Sequence, residues 1–117
     1  MELDQEYAAT VELRAAGYMS SAQFIVDRHF AEHYKNLDPP ELTIVLTGTR
    51  YIKIFKTEAS DKERGRNGCI FAFIDRTNGD ILKPASYKAP AKHARGNVFD
   101  ADYGISRTNS YGPGYLK

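Results

Sequence analysis

The residue types best suited to chemistry are concentrated in one basic segment, residues 83–97, which reads KPASYKAPAKHARGN. It combines cations with an aromatic ring, and proteins that bind single-stranded nucleic acid use cations to contact phosphates and flat rings to stack on bases. Pro84 and Pro90 exclude both a helix and a central strand, so this basic arm is predicted to be a rigid extended loop. The candidate residues for binding single-stranded RNA or DNA are Lys83, Tyr87, Lys88, Lys92, His93, Arg95 and Asn97.

A different interpretation makes the basic arm a packing element that contacts only protein. Four carboxylates lie near it in the sequence, those of Asp75, Asp80, Asp100 and Asp102. Ion pairs with these carboxylates would neutralise the lysines of the arm. The two interpretations therefore differ in whether the cations are free or paired.

Two histidines four residues apart form a second constellation, in the stretch His29-Phe30-Ala31-Glu32-His33. On a helix both rings share one face at metal-chelating spacing, and the order matches the H-x-x-E-H pattern of inverted zincins. Such a site needs a third ligand, and the remaining histidine, His93, lies in the predicted loop. We therefore predict no metal, no cofactor, no catalytic residue and no enzymatic activity.

The 117 residues carry a formal net charge of +1, but the charges are unevenly distributed. Residues 1–63 hold 7 basic against 11 acidic side chains, whereas residues 64–117 hold 9 against 4. This asymmetry permits a local basic surface on a nearly neutral protein. The chain shows no secretory leader pattern and no apolar run of about 18 residues, the length that a membrane span needs. It is expected to be a soluble cytoplasmic protein without membrane contact.

A helix is predicted near the N-terminus, because apolar side chains recur at four-residue steps over residues 3–16. A strand over residues 9–14 is the competing interpretation. Gly17 would end this helix, since glycine favours the left-handed conformation that follows a helix. Residues 1–19 are accordingly expected to be an arm or a short helix that precedes the folded domain of residues 20–117.

A second, amphipathic helix is predicted over residues 21–36. Ser20 and Gln23 form a capping-box pattern at its start, and Asp38-Pro39-Pro40 halts it because a residue before proline avoids the α conformation. Its apolar stripe includes Val26, Phe30 and Tyr34, which are predicted to join the core.

The remainder of the chain is predicted to be mostly strands. Asn78-Gly79 is typical of a two-residue type I′ hairpin turn, in which both central residues have positive φ. The single cysteine, Cys69, falls in the most apolar strand and is expected to be buried and inert. The predicted strands cover residues 42–46, 51–56, 69–74 and 81–83, with a short fifth over residues 97–99 and a solvent loop over residues 58–67.

This order of elements predicts an α+β fold, with an N-terminal helix capping a small five-stranded antiparallel barrel. Closure of the barrel would remove the exposed strand edges. The alternative is an open sheet with one capping helix. The predicted core is Val26, Phe30, Tyr34, Ile44, Ile52, Ile54, Phe71 and Phe73.

The stretch from the Asn78-Gly79 hairpin through the basic arm resembles small Sm-like proteins of cyanophage or marine-metagenome origin. Those proteins share a hairpin followed by a Lys-Pro-Ala-Ser-aromatic-Lys-Ala-Pro-Ala-Lys-His-Ala-Arg-Gly-Asn motif, which residues 83–97 carry intact with Tyr87 at the aromatic position. The ordinary Sm signature is echoed only by Arg95-Gly96-Asn97, so its RNA-binding residues are not carried over.

The resemblance implies an Sm/SH3-like barrel and a homo-oligomer, with a ring as the expected arrangement. It also implies a phage-encoded protein in the cytoplasm of an infected bacterium. Two functions remain open at this point. One is the binding of single-stranded nucleic acid through the basic arm, and the other is a structural or assembly role through protein contacts alone.

Overall fold

A long helix lying over one face of an antiparallel sheet forms the body of the protein. The computed structural model describes residues 5–65, 68–86 and 88–114. The long helix α1 spans Gln5–His33 and the short helix α2 spans Ala59–Glu63, with a 3-10 turn at Ile105–Arg107. The strands are β1 (Glu41–Val45), β2 (Tyr51–Thr57), β3 (Cys69–Asp75), β4 (Ile81–Leu82), β5 (Thr108–Asn109) and β6 (Gly112–Pro113).

The two helices predicted around Gly17 are one continuous helix, so neither the predicted stop at Gly17 nor the predicted cap at Ser20 is correct. A different requirement explains the glycine. A Cβ atom on Gly17 would lie 2.5 Å from Cε1 of Tyr103, so the missing side chain makes room for the tyrosine ring. The Tyr103 ring also lies under the guanidinium of Arg14, whose Cζ atom is 4.1 Å from the centre of the ring. The helix therefore keeps glycine in its interior to dock the C-terminal segment.

The predicted five-stranded barrel is wrong. The structure contains an open four-stranded antiparallel sheet in the order β1-β2-β3-β4, with β5 and β6 as a separate two-stranded pair. In the place of the predicted fifth strand, Asn97 makes an isolated bridge with Asp80, and its side-chain oxygen accepts the N–H of Phe99 at 2.8 Å. Because the chain turns here, residues 97–99 do not form a fifth strand beside β4. The result is an open sheet covered on one face by a single helix.

The hairpin between β3 and β4 is present, but its turn is not type I′. Gly79 has φ 80°, whereas Asn78 is not among the described residues with positive φ. The loop is longer than two residues, because the N–H groups of Gly79 and Asp75 donate to Asp75 and Asp80 carbonyls respectively. The side chain of Asn78 accepts the N–H of Asp80 at 2.9 Å and so stabilises the turn without a left-handed conformation at Asn78 itself.

The core has two parts, one on each face of the sheet, rather than the single core predicted. The larger part, between α1 and the sheet, includes Ile52, Ile54 and Phe71, whereas Phe73 belongs to a smaller cluster on the outer face. The cause is a β-bulge, because Ile54 pairs with Ala72 and the next residue of β2 pairs with Ile70. Phe71 has no partner, so the alternation of β3 is interrupted and Phe71 and Phe73 face opposite ways.

Two further side chains differ from the prediction. Tyr34 follows the end of α1 and is 43% exposed rather than buried in the core. Cys69, at the first position of β3, is exposed rather than buried. Among the described residues, no helix combines the length and the apolar character required to cross a membrane.

We expect Phe71→Ala to lower the free energy of unfolding by about 3–5 kcal/mol, because the ring is only 2% exposed and its loss leaves a cavity. Chemical denaturation measures the difference. Phe24→Ala is the matched control, since Phe24 is 65% exposed and its loss should cost less than about 1 kcal/mol. Equal effects of the two substitutions would contradict the assignment of Phe71 to the core.

Gly17→Ala is expected to destabilise the protein, although alanine is favoured over glycine inside a helix by roughly 1 kcal/mol. The new methyl group would collide with the Tyr103 ring. Thermal unfolding of Gly17→Ala, Tyr103→Ala and the double variant tests this reason. In the background of Tyr103→Ala, the Gly17→Ala change should become stabilising, and destabilisation of similar size in both backgrounds would show that the collision is not the cause.

Candidate nucleic-acid interface

The basic arm lies along the outer edge of β4. The N–H of Ile81 donates to the carbonyl of Gly96 at 2.9 Å, and the N–H of Arg95 donates to the carbonyl of Ile81 at 2.8 Å. Further out, the N–H of Ala91 donates to the carbonyl of Lys83 at 2.7 Å. Pro84 and Pro90 form an isolated bridge. Backbone hydrogen bonds therefore hold both ends of the arm, which leaves the sheet at Lys83 and returns to it at Arg95.

Arg95 anchors the arm from inside the protein. Its side chain is buried, with the residue 8% exposed. The guanidinium donates to the carbonyls of Lys92 and His93 within the arm, and to the carbonyl of Gly114 at 3.1 Å after β6. His93 has φ 72°, a conformation that costs energy for a residue with a side chain. The contact between Arg95 and the His93 carbonyl helps to hold this conformation.

Asn97 has a comparable structural part at the end of the arm. Its Nδ2 atom donates to the carbonyl of Asn78 at 2.8 Å and to Oδ1 of Asp80 at 2.9 Å. These bonds tie the arm to the β3–β4 turn. Of the seven candidate residues, Arg95 and Asn97 thus have side chains engaged with the protein itself.

Three of the other candidates present their side chains to solvent, namely Lys88, Lys92 and His93. Lys83 is half-buried, and Tyr87 lies outside the described residues. The structure therefore brings Lys88, Lys92 and His93 to one exposed loop. Arg95, beneath this loop, is separated from solvent.

The four nearby carboxylates have other partners. Oδ1 of Asp75 accepts two bonds from Thr77, and Asp80 accepts from Asn97. Asp100 and Asp102 accept backbone N–H groups from Asn97 and Gly104 respectively. Among the described residues, neither Lys88 nor Lys92 forms an ion pair. This is the arrangement expected of cations that are free to meet an anionic partner.

A cleft of about 560 Å³ lies elsewhere, where the C-terminal end of α1 meets α2 and the β5–β6 turn. Aromatic rings line it, and the His29 ring centroid is 5.6 Å from that of Tyr111 and 5.9 Å from that of Tyr34. Lys56 Nζ lies 5.8 Å from the centre of the Tyr111 ring, while Asp38 and Glu58 add carboxylates. The mixed charge makes the cleft less suited to a polyanion than the arm.

One member of the predicted histidine pair, His29, lines this cleft. The rings of His29 and His33 have centroids 4.6 Å apart, and Nε2 of His29 is buried without a hydrogen-bond partner among the described atoms. Within residues 5–65, 68–86 and 88–114, no group of three or more His, Cys, Asp or Glu side chains is placed to hold a metal ion.

The sequence pattern did not identify the cleft. Its rings come from the end of α1 and from the β5–β6 turn, which are about 80 residues apart, and no local spacing connects them. The glycine- and tyrosine-rich composition around Tyr111 is the one available signal, since such segments often form turns that present aromatic rings.

These features define a small α+β protein in which one long helix covers an open antiparallel sheet and an internal arginine holds an exposed basic loop. The chain belongs to the family of unknown function DUF7717, whose match extends over residues 3–115. No curated protein and no solved structure matches the chain.

Replacing Arg95 by methionine is expected to lower the free energy of unfolding by about 2–3 kcal/mol, because three carbonyls lose a charged donor. Lys92→Met is the matched control in the same arm and should change stability by less than about 0.5 kcal/mol. Chemical denaturation measures both, and limited proteolysis reports whether the arm becomes accessible. If Arg95→Met were as stable as Lys92→Met, the anchoring part assigned to Arg95 would be incorrect.

Proposed function

We propose that the protein binds single-stranded nucleic acid, weakly and with little sequence preference, through the exposed part of the basic arm. The observation that carries this proposal is that Lys88 and Lys92 are exposed and unpaired among the described residues, while the neighbouring carboxylates are bonded elsewhere. Phosphate groups are the natural partners of such cations. His93 adds a third exposed polar side chain to the same loop.

The fixed ends of the arm favour binding as well. A loop held by Arg95 and by backbone bonds at both ends loses little conformational entropy when a ligand binds. Tyr87 lies between the two prolines in the sequence, one residue before Lys88. We assign it the stacking contact with a base, a contribution of about 1–3 kcal/mol at comparable sites. Arg95 and Asn97 then act by positioning the arm rather than by touching the ligand.

The titration of the protein with a labelled single-stranded oligonucleotide at low salt tests the proposal. We expect saturable binding that weakens on Lys88→Ala, Lys92→Ala or Tyr87→Ala. Two phosphate contacts, those of Lys88 and Lys92, predict a decrease of about 2.5-fold in affinity for each doubling of salt, at a slope of roughly −0.7 per contact. Absence of binding at about tens of micromolar protein would overturn the proposal.

The control variant is Lys62→Ala, which removes an exposed lysine paired with β1, at the sheet edge opposite the arm. Lys62 forms an ion pair with Glu41, so its loss should leave the affinity for the oligonucleotide unchanged. An equal decrease in affinity for Lys62→Ala and Lys88→Ala would point to attraction by overall charge rather than to a site on the arm.

A role in assembly through protein contacts is the second candidate, and the aromatic cleft favours it. Tyr34, Leu37 and Tyr111 line this cleft and are 43%, 62% and 71% exposed. Apolar side chains gathered around a cleft are typical of surfaces that receive a protein partner. This function would become the better supported one if the oligonucleotide titration showed no binding.

A further inference from the structure

The two edges of the four-stranded sheet differ. The basic arm covers the edge at β4 through the hydrogen bonds between Ile81, Arg95 and Gly96. The other edge is β1, and no strand lies beside it in the described part of the chain. An open edge offers unpaired N–H and carbonyl groups to another strand.

The outward groups of β1 follow from one side-chain contact. The N–H of Leu42 donates to Oε1 of Gln23 at 2.7 Å, so it faces away from β2. The backbone N–H and carbonyl groups of an antiparallel strand point to alternate sides from one residue to the next. Those of Ile44 therefore also point away from β2, while those of Thr43 and Val45 point towards it. The carbonyl of Lys56, opposite Leu42, points towards Cys69 of β3 and agrees with this assignment. Within the described part of the chain, the outward backbone groups without a backbone partner are the carbonyl of Leu42 and both groups of Ile44.

Gln23 limits the open edge at its beginning. Its amide donates to the carbonyl of Pro40 at 3.0 Å and accepts the N–H of Leu42. The side chain thus takes the place that a peptide unit of a neighbouring strand would occupy. A partner strand therefore has to pair from the Leu42 carbonyl onwards, around Ile44.

We propose that β1 pairs with β1 of a second copy of the chain, antiparallel about a two-fold axis at Ile44. In this register the two Ile44 residues exchange both of their backbone hydrogen bonds. The carbonyl of Leu42 accepts the N–H of Leu46 from the second copy. The result is a homodimer with a continuous eight-stranded sheet.

The side chains of β1 are self-complementary in this register. Ile44 lies opposite itself, Thr43 opposite Val45, and Leu42 opposite Leu46, which is 44% exposed in the single chain. Paired β-branched and aliphatic residues stabilise such a ladder. Glu41 lies before the paired segment, where Gln23 occupies the edge, so no like charges meet across the axis. The net charge of +1 likewise gives little repulsion between copies.

The covered edge at β4 favours a closed pair over a ring. A ring requires two different surfaces on each subunit, whereas a two-fold pair uses one surface twice. With the arm bound to β4, β1 of one copy has no β4 edge of another copy to join. Strand β1 also contains no lysine, proline or bulge, the features that commonly protect an edge from pairing.

The first experiment measures mass by light scattering at micromolar concentrations, where a dimer has twice the mass of the 13.2 kDa chain. Ile44→Pro removes the outward N–H without removing a bond to β2 and should give a folded monomer. A wild-type protein that is monomeric throughout would overturn the proposal, as would a dimer that survives in a folded Ile44→Pro variant.

A cysteine cross-link keeps the test decisive if Ile44→Pro fails to fold. In a Cys69→Ser background, Ile44→Cys places two thiols opposite each other at the axis, with Cβ atoms about 5 Å apart. Thr43→Cys is the matched control, because the two copies of residue 43 lie diagonally at about 7–8 Å. With oxidised glutathione, rapid dimer formation by Ile44→Cys alone is expected. Equal cross-linking of both variants, or of neither, would overturn the proposed register.

The dimer is independent of nucleic-acid binding, and the same variants separate the two. A monomeric Ile44→Pro protein keeps its basic arm and should still bind a short oligonucleotide. If β1 instead pairs with an extended segment of a different protein, the purified chain should be monomeric.

Discussion

The burial of one stripe of α1 against the sheet is the contact on which the other parts of the structure depend. Val11, Ala15, Tyr18, Ala22 and Val26 are fully buried along this stripe. The sheet beneath is small, with only two residues in β4, and would not be stable without a covering helix. The stripe also reaches the C-terminal segment, since the hydroxyl groups of Tyr18 and Thr108 form a hydrogen bond of 2.8 Å. Burial of the Tyr18 side chain raises the pKa of its hydroxyl.

Arginine side chains hold the irregular parts of the chain in place of regular secondary structure. Arg14 of α1 donates to the carbonyls of Val98 and Asp100 at 2.7 and 2.6 Å. Arg76 donates to two carbonyls of the β1–β2 connection and pairs with Glu12 at 3.0 Å. Arg95 does the same for the basic arm. A guanidinium offers several donors in a fixed plane, which suits it to collecting carbonyls from a loop that cannot pair with itself.

Much of the sheet could be predicted from the sequence because its strands have local signals. The apolar run over residues 69–74 and the alternation around Ile52 and Ile54 correspond to β3 and β2. The errors arose where a distant contact decided the outcome. Gly17 resembled a helix end because its need for Tyr103 is invisible locally, and the bulge that turns Phe73 away from Phe71 depends on pairing with β2.

The candidate site illustrates the same limit. The sequence pattern correctly placed a proline-restricted loop after β4, since prolines restrict a backbone wherever they occur. It could not distinguish the buried Arg95 from the exposed Lys88 and Lys92. A cation can bind a phosphate or a cluster of buried carbonyls, and the sequence does not show which of the two surrounds it. Burial distinguishes them, and burial is set by β4 and by Gly114, beyond the reach of local spacing.

The positions of the arm and of β1 at opposite edges of the sheet connect the two proposals. Adjacent strands lie about 4.8 Å apart, so pairing through β1 would separate the two arms by nine such spacings, about 40 Å. A short oligonucleotide would then reach one arm only, and the dimer would bind it no more tightly than the monomer. An oligonucleotide long enough to span both arms would gain avidity from the second contact. The dependence of binding affinity on oligonucleotide length is therefore set by pairing through β1, although β1 itself would touch no nucleic acid.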